Sequence, residues 1–153
     1  MIDRSGNITP EVLSARAAIT DLLYGYARIV RNGDAAACAE MFTEDAVFEV
    51  REAAPGDPAG HQVRHAFRGR TEIQAYLQHG AVSSAKVCPL IHNPLIEING
   101  HEATSNCMMT AWVLPMGQQL LGEYQDRYRF DDRWRFTARV YTIWGRLAVQ
   151  PQA

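Results

Sequence analysis

The residues of this chain that could do chemistry are few, and they sit in apolar company. In GEYQDRYRF, Asp126 alternates with Tyr124, Tyr128 and Phe130, so a strand here sets a carboxylate in an aromatic row. Carboxylates are rarely buried unless they are paired or working. Asp126 is therefore read as the partner of Arg31 in a buried ion pair or as a catalytic carboxylate, with a bulge that turns it to solvent, or a purely structural bridge, as the plain alternatives. A register slip of one residue would instead send Glu123, Gln125 and Arg127 inward. In IHNPLIEI, uninterrupted alternation puts His92 on one face with Pro94, Ile96 and Ile98. An inward imidazole can serve as general acid or base, or donate to a carbonyl. A core or strand-end histidine with one hydrogen bond is the competing reading. Arg31, in YGYARIVRNGD, stands one turn beyond an apolar, aromatic-rich face. Facing outward it is a solvated cation; facing a cavity it is a binding group or the ion-pair partner of Asp126.

Tyr26, Tyr124, Tyr141, Trp112 and Trp144 supply enough aromatic surface to line a pocket for a ring-shaped ligand, although core packing is the default for each one singly. Tyr26, one turn before Val30 on the inward helical face, could donate to a ligand oxygen. Other chemistries find no footing. There is no glycine-rich phosphate cradle and no GxSxG elbow. Cys38, Cys88 and Cys107 form no CxxC pair and read as buried structural thiols, and the five histidines lack i, i+4 pairing, so neither metal nor cofactor is expected. A net charge of −2, with arginines spread along the chain, argues against a nucleic-acid groove. Apolar runs fall short of the roughly 20 residues that span a bilayer. MIDRSGNITPE lacks the apolar core of a signal peptide, so a soluble, cytoplasmic protein is expected.

Helices and then strands must position these residues within one domain, 1–153. Thr9-Pro10-Glu11 starts a helix whose apolar residues recur at Val12, Ala15, Ile19, Leu22, Leu23, Tyr26 and Val30, and Asn32-Gly33 stops it. Asp34 caps a short second helix, AAACAEMF, before a strand, AVFEVR. Residues 52–66, rich in Pro, Gly and polar groups, read as a loop outside the fold. FRGRTEIQAYLQHG gives a turn and a third helix, and Ser83-Ser84 reads as a loop. Segments 90–98, 103–114, 119–130 and 134–147 read as strands, parted by Asn99-Gly100, Pro115-Met116-Gly117 and Asp131-Asp132. This is an α+β plan: three helices on a curved, mainly antiparallel sheet that closes into a cone. Met108 and Trp112 lie opposite Cys107, Met109 and Val113, so both sheet faces are apolar and the outer one is expected to pair in a homodimer.

ARAAITDLLYGYARIVRNGDAAACAEMFTEDAVFE, FRGRTEI, IHNPLIEINGHEAT and GEYQDRYRFDDRWRFTAR, in that order, resemble the SnoaL-like proteins of the nuclear transport factor 2 superfamily over nearly the whole chain. The resemblance implies a cone-shaped α+β barrel with an apolar pocket, often in dimers or trimers. Similar branches are scytalone dehydratase, the hexachlorocyclohexane dehydrochlorinase, bile-acid dehydratases and the small subunits of aromatic-ring hydroxylating dioxygenases. In the dehydratase and dehydrochlorinase branches an Asp at the end of helix 1 orients a His that moves the proton. The resemblance places that His on His92 and that Asp on Arg31, and there the sequence departs from the pattern. A cation cannot accept the imidazole N–H. Arg139 matches a frequent arginine of the pattern, near the reacting centre in the dehydrochlorinase branch, where it would bind an oxyanion or leaving group; a salt bridge across strands is the equal alternative. The expectation is a cofactor-independent lyase or isomerase acting on a small cyclic, mostly apolar molecule. His92 would remove the proton, and Tyr26, Arg31 and Arg139 would hold the developing charge. The alternatives are a non-catalytic ligand-binding or assembly protein, and a dioxygenase small subunit with an iron-bearing partner chain.

Overall fold

The computed structural model describes residues 8–81 and 85–148, which leaves Ser83-Ser84 outside the described part. Helix α1 (Pro10–Asn32) begins where Thr9 Oγ1 accepts the Val12 N–H at 3.3 Å, and ends at Gly33, whose φ of 76° supplies the left-handed cap. Its buried side, Ala15, Ile19, Leu23, Tyr26 and Ala27, follows the expected period. Helix α2 (Ala35–Glu40) is capped by Asp34, which accepts the Ala37 N–H at 3.0 Å. Helix α3 (Arg70–Ala81) follows a turn at Gly69 and buries Ile73 completely.

Six strands form one sheet: β1 (Phe42–Ala54), β2 (Asp57–Arg68), β3 (Lys86–Asn99), β4 (Glu102–Leu114), β5 (Gln118–Phe130) and β6 (Trp134–Ala148). The spatial order is β2-β1-β6-β5-β4-β3, with β1 and β6 parallel and every other pair antiparallel. The three helices pack on one face of this curved, open sheet, and the core lies between them. The cone is thus an open one, with β2 and β3 as its free edges.

Besides an α2 that ends at Glu40, a β1 that begins at Phe42 and a β3 that begins at Lys86, two local features depart from the sequence-based expectations. Residues 52–66 are not an outer loop. They complete β1, turn at Pro55-Gly56, where Gly56 has φ of 76°, and return as β2. The second feature is in β3. Its register against β4 shifts between His92 and Leu95, and Asn93 takes a positive φ of 50°. Pro94 has no N–H to give a ladder, so Asn93-Pro94 bulges out and the alternation restarts.

Candidate active site

Strand register builds the centre of the cone. On the helix-facing side, Phe67, Phe48, Arg139, Asp126, Ser105 and Ile96 lie side by side across all six strands. One pleat repeat away runs a second row: His65, Val50, Tyr141, Tyr124 and Cys107. Asp126 therefore faces inward with Tyr124 and Tyr128, and Gln125 and Arg127 face out.

Asp126 pairs with Arg139 of the adjacent strand, not with Arg31. Arg139 Nε and Nη2 donate to Asp126 Oδ1 and Oδ2, each at 2.8 Å, and both side chains have no solvent exposure. Tyr128 donates its hydroxyl to Asp126 Oδ2 at 3.2 Å and lies 2.7 Å from Ser105 Oγ. Aromatic rings box the cation: its guanidinium carbon lies 4.2 Å from the Tyr26 ring centre, 3.9 Å from Tyr124 and 4.4 Å from Phe136. Burial alone would push the guanidinium down, but the Asp126 carboxylate overcomes it and holds Arg139 well above its usual range. One group is left over: Arg139 Nη1 is buried without a hydrogen-bond partner. Burial also raises the Tyr26 and Tyr124 phenols, so both remain protonated donors.

Tyr141 sits above this cage, half-buried, with its ring 5.1 Å from Tyr124 at 64°. Gly122 makes room for it: a Cβ there would meet the Thr142 carbonyl at 2.5 Å and Tyr141 Cε2 at 3.0 Å. Phe67, Tyr76, Ile91 and Leu120, like Tyr141, are only partly buried where they pack against the core, and so lie at its rim. Glu52 stands at this rim and accepts from Arg146 at 2.8 Å and Arg64 at 2.9 Å. The Arg146 bond first, and then that from Arg64, hold its carboxyl below the usual range against the opposing effect of burial.

The other expected site residues lie elsewhere. Arg31 is exposed in the last turn of α1, where a cation favours the negative end of the helix dipole. His92 is a correction to the expected inward imidazole. Because the bulge follows it, His92 shares the outer face with Leu90 and Leu95, pairs with Met108, and has Nε2 2.9 Å from Thr110 Oγ1. Trp112 also points outward, 37% exposed, between the buried Ala111 and Val113. Trp144 is half-buried at the register shift of β6. Arg31, His92 and Asp126 do not meet, whereas Tyr26, Tyr124, Asp126, Arg139 and Tyr141 do. Cys38 and Cys107 are buried, and Cys88 is half-exposed on the outer face opposite Trp112.

The reading of 52–66 as a loop concealed Glu52 and His65, and the sequence reading puts Phe67 in the turn before the third helix. Their signal was Pro55-Gly56 between two runs that each alternate, FEVR and HQVRHAF, as a hairpin does. Among the described residues no cluster of three His, Cys, Asp or Glu could hold a metal ion. No described helix is long and apolar enough to cross a membrane.

A profile of the SnoaL-like domain family matches residues 11–140, and the chain belongs to that family. No curated protein sequence matches it. A protein provisionally named scytalone dehydratase from Novosphingobium aromaticivorans superposes with a TM-score of 0.73 at 20% identity, covering 92% of this chain and 91% of that one. A hexachlorocyclohexane dehydrochlorinase (LinA) Type2 gives 0.69 at 14% identity, with 92% of each chain covered. The beta subunit of a provisionally named aromatic-ring-hydroxylating dioxygenase from N. aromaticivorans gives 0.72 at 14% identity, covering 86% of this chain and 90% of that one. At these identities the likeness is one of fold.

Proposed function

We propose that this chain is a cofactor-independent lyase or isomerase for a small cyclic, mostly apolar molecule held in the mouth of the cone. The observation that carries the reading is the fully buried Arg139–Asp126 pair, with its spare Nη1 donor, in a cage of Tyr26, Tyr124 and Phe136. A buried donor without a partner forgoes about 1–3 kcal/mol, which an incoming oxygen or halide that carries developing negative charge would recover. Tyr141, partly buried above the cage, and the edges of the stacked Phe67–Tyr76 pair offer aromatic surface to a cyclic substrate. The two superposing proteins whose names state eliminations support the reaction class.

A non-catalytic binding protein is the second reading. It is favoured by the separation of Arg31 from His92, since no carboxylate–imidazole pair lines the described interior. Turnover of cyclic hydroxy ketones and chlorinated cyclohexanes by the wild-type protein separates the two. The same proposal includes a cytoplasmic homodimer formed through the outer sheet face, where Leu90, Leu95, Met108, Trp112 and Leu121 lie uncovered. A second copy is the proposed occupant because a two-fold axis would set this one apolar patch against itself.

A further inference from the structure

We infer that His65, on the edge strand β2, is the group that moves the proton; this rests on the lyase reading above. Each of the five histidines can be placed. His61 lies with its Nε2 2.9 Å from Arg51 Nη1, on the face away from the helices. His79 is exposed near the end of α3. His92 faces outward against Thr110, and His101 packs beside Phe130 at a turn. His65 alone pairs with an inward residue, Val50, which in turn pairs with Tyr141. Its ring stacks on Phe67 at 6.0 Å and 19°, and lies 6.1 Å from Tyr76 of α3, so it stands on the helix side at the rim.

Distances across the sheet suit a ring-shaped substrate. β2 and β6 are separated by β1, so their backbones lie roughly 10 Å apart. In this proposal a ring-shaped substrate sets one edge against the His65 imidazole and turns its polar substituent past Tyr141 toward Arg139, whose aromatic cage is closed to solvent and must open to receive it. In an elimination the imidazole nitrogen takes the proton of a ring C–H bond. That electron pair becomes the new C=C bond, and the C–O or C–halogen pair leaves with hydroxide or halide toward Arg139. His65 is exposed, so the imidazolium returns its proton to water, and the net change is loss of H₂O or HX. Phe67 and Tyr76 fix the ring plane without using either nitrogen.

The test uses the full chain, a panel of cyclic β-hydroxy ketones and chlorinated cyclohexanes, and three variants. His65→Gln removes the base. His65→Phe keeps the stack on Phe67 but accepts no proton. His92→Gln is the control. Both His65 variants should lose about 10²–10⁴-fold in kcat, with KM nearly unchanged. His92→Gln should match wild type. Rescue of kcat by His65→Phe would show a packing role and overturn the inference, as would full activity in His65→Gln; the lyase reading would survive both. Absence of turnover in wild type, with ligand binding retained, would remove the lyase reading and the inference together.

Discussion

At the residue scale, the fate of Arg139 and Asp126 organises the site. Arg139 is the largest fully buried side chain among the described residues, and only its carboxylate partner and three aromatic faces make that tolerable. Asp126→Ala or Arg139→Ala should each cost about 3–5 kcal/mol in urea unfolding, because each strands the other charge in the core. The double change Asp126→Leu/Arg139→Met should cost far less than the sum; additive losses would show that the two charges act independently. The thiols add a pH signature. Burial pushes Cys107 up to about 11 and Cys38 up to about 12, whereas an unfolded thiol ionises near ~8.5. Above that value the unfolded chain binds fewer protons, so stability should fall as pH rises toward 11, and it is fully present below pH ~8. Cys107→Ala should flatten part of that decline in urea midpoints measured across pH; an unchanged slope would contradict it. Asp126 was legible in the sequence because a carboxylate between Tyr124 and Tyr128 has few peaceful explanations. Its partner was not legible, since 13 positions separate it from Arg139 and only the β5–β6 register brings them together.

At the element scale, α1, α2, α3 and β4 through β6 lie close to where periodicity and caps put them. Helix spacing is a local property, and Thr9, Asp34 and Gly33 act within a few residues of themselves. β2 and the inner face of β3 were misread for one physical reason each. Pro and Gly in 52–66 resemble a loop, yet an edge strand tolerates Pro where an inner strand does not. Alternation from His92 to Ile98 holds only if nothing interrupts it, and Asn93-Pro94 does. That bulge alone moves His92 from the expected interior to the outside. Gly122 is the complementary case, a strand glycine whose missing Cβ lets the Thr142 backbone and the Tyr141 ring approach. Gly122→Ala should lower stability by about 1–3 kcal/mol and disturb ligand binding at Tyr141. A melting temperature equal to wild type would mean that β5 and β6 yield there at no cost.

At the scale of the whole molecule, helices cover one sheet face and nothing in the chain's described part covers the other. The apolar outer residues then predict a homodimer at micromolar concentration, and Trp112→Glu with Leu95→Glu should yield a folded monomer. Light scattering that finds wild type monomeric would count against it. The central claim is that the cone takes a cyclic molecule and moves a proton on it. Its most direct measurement is proton NMR of cyclic hydroxy ketones and chlorinated cyclohexanes incubated with the protein in heavy water. The account predicts protein-dependent loss of ring C–H signals, with an alkene product for at least one of them. Binding seen in the aromatic signals of the protein, with no exchange and no product for any compound, would contradict it.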